Sequence, residues 1–503
     1  MKQLDALFIN PGNAQNLYQE LSKKYAAIEP NIWAGMLANS CLSIGLSAEI
    51  LDANLYRFSP QDVADKIKEY NPKTVIFVVT GQNPNASTCS MSGAVAEADM
   101  IQCLHPEIFI VFVGPHVNAL PIETLEKHPF IDICCTNEGV YSIRNLLSCD
   151  LSKDLSKIKG IAYRDRTDGK IYLNDAEMIV PQDKLEQDLP GIAWHLLPSL
   201  DQYRTGIWHC EWNPNLVSPF ASLYTSLGCP MRCDFCMINI INRTDNDNTL
   251  SAKNFNTWRS WSPEFIIKQF DYLAEHNVKQ IKIADEMWVY KPQHFMRICD
   301  LIIERRYDFN IWGYARVDMT QPKYLETMRK AGVRMLGIGI ESGNKDIRSS
   351  VDKGKFNQDT IHNIVRLMKD NDINPGGNYL FGLPNDTIET MQETLDLALE
   401  LLCENSNFYA TVALPGSNLY LQAKKDGIKL PNKYEDYSFY AKDHIPLPTK
   451  YLTSAEVLQF RDEAFMKYFT NHSFLELIRN KFGQIALNSI QEMTKITLTR
   501  TIY

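Results

Sequence analysis

The chain has 503 residues, too many for one compact core, so two or three domains with a large shared interior are expected. Its 51 basic and 60 acidic residues leave a net charge of -9, which argues against a general basic footprint for nucleic acid or an anionic membrane. Residues Met1 to Asn10 lack a signal peptide's long apolar stretch and no later run is long and apolar enough to span a bilayer, so a cytoplasmic protein with reduced thiols is expected.

Over residues 1–150, short apolar runs alternate with helical patterns. Ala6–Asn10, Ala48–Leu51, Thr74–Val79, Ile108–Val113 and Ile131–Cys135 read as strands, and Asn31–Ile44, Gln61–Tyr70, Ser90–Leu104 and Ile122–Lys127 as helices. Gly45 suits a left-handed helix end, and Ser59-Pro60 supplies an N-cap followed by proline in the first turn. One strand per helix predicts a doubly wound, mostly parallel sheet of the flavodoxin-like kind, which binds ligands beyond its strand C-termini. Asn10, Thr80-Gly81-Gln82, Gly114 with His116, and Glu138-Gly139 stand there. The first turn lacks a G-x-G-x-x-G string, so a dinucleotide fits poorly. A loop histidine such as His116 is more often a hydrogen-bonding group than a ligand.

Residues 151–219 read as an ordered connector. A hairpin is expected from Gly160 to Asn174 around Asp168-Gly169, and Pro181, Pro190, Pro198, Pro214 and Pro219 punctuate the rest. Trp194, Trp208 and Trp212 pack an interface by default, or roof a cleft.

Within residues 220–430 the alternation resumes. Strands are predicted at Ala221–Ser226, Gln280–Ala284, Asn310–Tyr314, Met335–Ile340, Gly377–Phe381 and Phe408–Leu414, with helices near Pro263–Glu275, Pro292–Glu304, Pro322–Lys330, Gln358–Lys369 and Thr387–Leu402. Six strands make a partial (β/α)6 barrel, whose working residues belong at the strand C-termini. Residues 431–503 read as a helical C-terminal cap, with Thr453 and Glu456 forming a capping box. Such a cap closes the open side of the barrel or buries its edge.

The string Ser226-Leu-Gly-Cys-Pro-Met-Arg-Cys-Asp-Phe-Cys236 follows the first barrel strand. Cys229, Cys233 and Cys236 on one tight loop can hold three irons of a 4Fe–4S cube and leave the fourth open. A zinc loop completed by Cys210 or His209 is the competing reading, although structural zinc prefers four protein ligands. Cys41, Cys89, Cys103, Cys134, Cys135, Cys149, Cys299 and Cys403 sit mostly in apolar or helical surroundings and read as structural.

With Phe235 as its aromatic residue, the cysteine string resembles the signature of the radical S-adenosylmethionine (SAM) enzymes. The later strand ends resemble that pattern too: Asp285-Glu286, Arg316-Val-Asp318, Gly337-Ile-Gly-Ile-Glu-Ser-Gly343, Gly382-Leu-Pro384 and Ala413-Leu-Pro-Gly-Ser417. The first 150 residues resemble the cobalamin-binding domain that precedes many such cores, without the Asp-x-His-x-x-Gly string that supplies a histidine to cobalt.

The resemblance implies a 4Fe–4S cluster on Cys229, Cys233 and Cys236. It implies SAM beside Phe235, Asp285, Glu286, Arg316, Glu341 and Ser342, with Arg316 meeting its carboxylate, and cobalamin beside Asn10, Thr80, Gly81, Gln82, Gly114, His116, Glu138 and Gly139. It further implies a methyltransferase acting on an unactivated carbon of a small-molecule or peptide substrate. The cluster would donate an electron to SAM, the resulting 5′-deoxyadenosyl radical would remove a substrate hydrogen, and methylcobalamin would supply the methyl group. A flavodoxin- or ferredoxin-type protein would supply electrons, and neither nucleic acid nor a membrane is an expected partner.

The alternatives are a non-methylating ring-forming or rearranging enzyme of the same architecture, a methylthiotransferase, and a cobalamin or redox sensor. A sheet domain that has lost its cofactor is the plain reading of residues 1–150. An ion pair bracing the barrel is that of Glu341 and Arg316, and loop capping that of Asp285 and Glu286.

Overall fold

In the computed structural model, which describes residues 3–12, 17–246, 250–354 and 356–503, two large sheets form, one mostly parallel and one wholly parallel. The first contains β1 (Leu4–Asn10), α1 (Ile32–Leu42), β2 (Ala48–Asp52), α2 (Pro60–Tyr70), β3 (Pro72–Val78), α3 (Ser87–Leu104), β4 (Phe109–Val113), α4 (Pro121–Lys127), β5 (Ile133–Cys135) and α5 (Val140–Leu147). Strand order is β2-β1-β3-β4-β5, as a flavodoxin-like sheet requires. The strands are apolar throughout because helices cover both faces. Phe8, Ile76 and Val111 face α1 and α5, whereas Leu7, Phe77 and Ile110 face α2, α3 and α4. Ser59 and Asp62 form a reciprocal capping box at α2, and Gly45 takes the left-handed conformation two residues beyond Ser43, which ends α1.

The expected hairpin forms as β6 (Ile161–Arg164) and β7 (Ile171–Leu173), but it does more than connect. It pairs antiparallel with β5, so the first sheet has seven strands and extends past residue 150. Without it, β5 would expose an unpaired edge.

The second sheet is built from β8 (Phe220–Leu223), α6 (Pro263–Glu275), β9 (Gln280–Ile283), α7 (Pro292–Glu304), β10 (Asn310–Arg316), α8 (Pro322–Lys330), β11 (Val333–Glu341), α9 (Gln358–Asp370), β12 (Asn374–Phe381), α10 (Ile388–Leu401) and β13 (Asn405–Ala410). Its six strands are parallel and run in chain order, the open half-barrel anticipated from the alternation. Proline in the first turn starts α6, α7 and α8, and the Ser262 side chain caps α6.

Alternate strand residues divide the two faces of this sheet. Ala221, Leu223, Ile281, Ile283, Ile311, Ile338 and Phe408 join the core under the helices. The intervening Ser222, Lys282, Tyr314, Gly337, Asn378 and Tyr409 line the inner face. A closed βα barrel is plugged by bulky aliphatic side chains; the inner face of this open sheet is polar instead.

In the last segment α11 (Ser454–Phe469), started by the Thr453–Glu456 capping box, covers the exposed edge of β13. Arg461 Nε donates to the Phe408 carbonyl at 2.7 Å, and Tyr468 donates to the Cys403 carbonyl at 2.5 Å. A further helix, α12 (His472–Met493), is broken at Gly483. Edge burial is thus one role of this segment. Another is to tie back to the beginning of the chain: Gln19 Nε2 donates to the Tyr440 carbonyl at 2.6 Å, Thr499 N to Gln19 Oε1 at 3.1 Å, and Ser438 Oγ to the Leu17 carbonyl at 3.1 Å.

The connector tryptophans take the packing role. Trp194 stacks on Tyr272 and donates to Gln269 Oε1 at 2.8 Å, Trp208 meets Trp312 edge-on, and Trp212 donates to the Glu404 carbonyl at 3.0 Å.

Candidate active site

Three cysteines enter the site on the loop after β8. Gly228 precedes them with φ +82°, and a Cβ there would lie 2.6 Å from the Thr257 carbonyl oxygen, so only glycine fits. Asn239 brackets the first cysteine, accepting from Cys229 N at 3.0 Å and donating to its carbonyl at 2.7 Å. Cys236 N donates to the Cys233 carbonyl at 3.2 Å, closing the turn. Asp234 N donates to the Val351 carbonyl at 3.1 Å, and Met237 N to Asn85 Oδ1, on the first sheet's β3–α3 loop, at 3.2 Å.

Burial pushes the Cys229 thiol up to about 11, with the charge of Cys233 adding to it. Burial raises Cys236 further, reinforced by Cys233 and Cys229. Cys229 and Cys236, each held protonated by burial and by the charge of a neighbouring cysteine, suit a centre that supplies positive charge. Among the described residues no group of three or more His, Cys, Asp or Glu is spaced to share one metal ion. Zinc would draw its sulfurs in to bonds of about 2.3 Å, whereas a cube spreads them over three irons. The proposed zinc completion also fails on position. His209 bonds Thr205 Oγ1 at 3.0 Å and the carbonyl of Asn310, the first residue of β10, at 3.0 Å, which places it at the opposite end of the barrel from the cysteine loop. Cys210 is buried beside it, bonded to the Leu216 carbonyl.

Replacing Gly228 with alanine is expected to strain this loop by about 1–3 kcal/mol. Iron content after anaerobic reconstitution should fall while the far-ultraviolet circular dichroism stays unchanged.

The other anticipated barrel residues divide into two groups. Glu286, Glu341, Arg316 and Phe235 surround the cysteine loop. Glu286 is part-exposed and accepts from Gly228 N at 3.2 Å, and burial raises its carboxyl to about 8, so it is poised to ionise against an arriving cation. Glu341 ends β11 with φ +64°, a costly conformation outside glycine, and pairs with Lys353 at 2.6 Å. Arg316 is bound by Asp318 at 2.9 Å and lies 3.9 Å from Cys233 Sγ. Phe235 packs among Leu383, Ala413 and Leu419. Asp285 and Ser342 instead brace the backbone. Asp285 accepts from Thr225 N, Thr225 Oγ1 and Ser226 Oγ, each at 2.6 Å, and Ser342 Oγ is buried against Thr394 at 3.2 Å.

On the first sheet, Thr80, Gly81 and Gln82 form the loop that faces the barrel. The ammonium of Lys282, on the inner face of β9, donates to the Gln82 carbonyl at 2.9 Å and to Glu29 at 2.8 Å. Asn10 bonds Asp52 at 2.7 Å and Asn31 at 3.1 Å. Gly114 has φ +144°, and a Cβ would fall 2.2 Å from the Val79 carbonyl oxygen; Gly139 is left-handed as well. His116 is buried with Nδ1 bonded to Thr88 at 3.1 Å and its ring against Tyr434, and burial lowers it to about 3. Glu138 is buried in a pair with Arg259 at 2.7 Å. Neither side chain has the freedom expected of a ligand contact.

Where the modules meet stands a group of tyrosines that was missed from the sequence. Tyr18, Tyr224, Tyr314 and Tyr440 keep part of their surface accessible, although burial raises each phenol above its ordinary range. None of these four hydroxyls has a hydrogen-bond partner among the described residues. Tyr409 and Asn407 converge on Asn378 Oδ1 at 3.4 and 3.0 Å. Part-exposed side chains with unpartnered hydroxyls leave polar groups available to a bound molecule. The signal available in the sequence was the polar residue at every second strand position, as in Trp312-x-Tyr314-x-Arg316.

The Radical SAM superfamily profile matches residues 223–398. An uncharacterized methyltransferase of Pyrococcus horikoshii is 25% identical over 84% of this chain and 84% of its own length. The anaerobic magnesium-protoporphyrin IX monomethyl ester cyclase of Rubrivivax gelatinosus is 25% identical over 93% of this chain and 78% of its own. Among solved structures, that of the cobalamin-dependent SAM radical enzyme OxsB with aqua-cobalamin and SAM bound superposes with a TM-score of 0.64 at 15% identity, covering 98% of this chain and 78% of that one. The fold and the three-cysteine loop define a radical SAM enzyme. Residues 223–398 match the radical SAM superfamily, and the likeness to a cobalamin-dependent radical SAM enzyme extends across the preceding sheet domain.

Proposed function

We propose that this enzyme is a cobalamin-dependent methyltransferase acting on an unactivated carbon of a small-molecule or peptide substrate held beside the tyrosines where the modules meet. The observation that carries this reading is the meeting of two loops: the cysteine loop at the barrel mouth, where Met237 N donates to Asn85 Oδ1 at 3.2 Å, and the Thr80–Gln82 loop of the first sheet, where the Gln82 carbonyl accepts from Lys282 of the barrel's inner face at 2.9 Å. When bound, the cluster and SAM supply one-electron hydrogen abstraction and the corrinoid supplies a transferable methyl group; the protein supplies placement.

Cys229, Cys233 and Cys236 hold the cluster. Glu286 and the Glu341–Lys353 pair present charge where SAM brings an ammonium and a carboxylate. Thr80, Gly81, Gln82 and Asn10 offer the polar crest on which the corrinoid lies. The unpartnered phenols of Tyr18, Tyr224, Tyr314 and Tyr440 bind and orient substrate. A flavodoxin- or ferredoxin-type donor in the cytoplasm supplies the electron.

A ring-forming reaction is the second reading, favoured by the likeness to the Rubrivivax cyclase over 93% of this chain. The methylthiotransferase reading finds less support. Cys41, Cys134 and Cys135 of the first sheet domain are buried in its core, with thiols raised by burial.

Anaerobic protein should contain iron, sulfide and corrinoid, and with a strong reductant should release 5′-deoxyadenosine from SAM. Isotopic label in the SAM methyl group should reach the product. Unlabelled product would select the cyclase-like alternative, and iron-free protein inert towards SAM would sink both.

A further inference from the structure

Arg316 was expected to clamp the SAM carboxylate, yet the protein has already committed its fork. Nε and Nη2 donate to Asp318 Oδ1 and Oδ2, each at 2.9 Å, and Nη2 also donates to the Lys353 carbonyl. Gly354, at φ +141°, would place a Cβ 3.0 Å from Nη2, so the turn over residues 352–354 leaves room for the guanidinium. What remains is Nη1, and it lies 3.9 Å from Cys233 Sγ.

A second cation stands behind the first. Lys353 pairs with Glu341 at 2.6 Å, with side chains 8% and 9% exposed. The same turn is strapped to the cysteine loop by Lys253, whose ammonium joins Asp234 at 2.6 Å to Asp352 at 2.8 Å. Both cations near Cys233 are therefore held in place by their own carboxylates and keep a fixed position relative to that sulfur. The other two thiols differ. Cys229 is bracketed through its peptide by Asn239 and Cys236 lies beside Asn85, with no guanidinium or ammonium bonded to either sulfur among the described residues.

We propose that Arg316 is a positioning residue that sets the reduction potential of the cluster through an N–H···S bond to Cys233, with Lys353 adding to the effect, and that it is not the clamp for the SAM carboxylate. The inference rests on the cluster reading above. Reduction takes one electron from the external donor and adds one negative charge to the cluster and its thiolates. A donor hydrogen bond to a ligand sulfur, and fixed cations nearby, stabilise the reduced form more than the oxidised one and raise the potential.

The test uses the full chain reconstituted anaerobically with iron and sulfide, without SAM, and poised at a series of potentials while reduced cluster is measured by electron paramagnetic resonance. Arg316→Met should retain iron but show a tenfold lower ratio of reduced to oxidised cluster at a given ambient potential, equivalent to about 59 mV for one electron. Arg316→Lys should recover part of the shift, and Lys353→Met should move the potential in the same direction by less. SAM affinity of oxidised Arg316→Met should stay within about twofold of wild type. An unchanged potential with SAM binding weakened tenfold would overturn the inference and restore the clamp. Should Arg316→Met lose iron, unchanged potentials in both Arg316→Lys and Lys353→Met would overturn it equally. Wild-type protein without any iron–sulfur signal would sink the cluster reading itself, an outcome distinct from a cluster whose potential ignores Arg316.

Discussion

Cys236→Ala is expected to leave a folded chain that holds almost no iron and releases no 5′-deoxyadenosine from SAM. Iron should fall from about four atoms per chain to background, because a cube with two thiolates has two unsupported corners. Three of the other thiols are out of reach: Cys210 lies at the other end of the barrel, and Cys299 and Cys403 are buried in the core under the helices. The fold should persist because the loop is anchored by backbone contacts that the substitution spares, Asp234 N to Val351 and Met237 N to Asn85. Iron and sulfide assays, visible absorption and circular dichroism check each half of this expectation. Full iron in the variant would refute three-cysteine ligation.

The largest effect on stability is expected at Glu138. Its carboxylate accepts from Arg259 Nη2 at 2.7 Å and Nη1 at 3.3 Å and from Val180 N at 2.6 Å, with both charged side chains at most 5% exposed. Arg259 Nε already lacks a partner among the described residues. Glu138→Ala would strand a buried guanidinium, and breaking such a pair costs about 3–5 kcal/mol. That is a large part of the roughly 5–15 kcal/mol that holds a domain together. The urea midpoint should drop accordingly, and Glu138→Ala combined with Arg259→Met should recover much of the loss, since the pair contributes far less than its half-removal costs. Equal midpoints for wild type and Glu138→Ala would show that the pair does not join the sheet domain to the barrel.

The elements of both sheets were legible because their signals are local. Apolar runs of strand length, prolines in first turns and capping residues such as Ser59 and Thr453 each report on a few neighbours, and the structure keeps those elements within a few residues of the expected bounds. The cysteine loop was legible because one short string holds the whole ligand set. What escaped are properties of distance. Nothing near Lys282 in the chain announces Glu29 or Gln82, and nothing near Glu138 announces Arg259; long-range pairing decides whether a charged residue serves a ligand or the fold. The hairpin at 161–173 was seen, but its attachment to β5 depends on an edge that exists only in three dimensions. The tyrosine group was missed for a related reason: alternation revealed which strand residues were polar, while their meeting required the curl of the sheet.

The ties between residues 17–19 and the segment from 438 to 499 join positions up to 480 apart in the chain. A ribosome adding roughly 5–20 residues per second needs about 25–100 s to cover that interval. During synthesis the sheet domain therefore emerges with all its strands long before the segment that ties back to its start, so its own core must hold it together without those contacts.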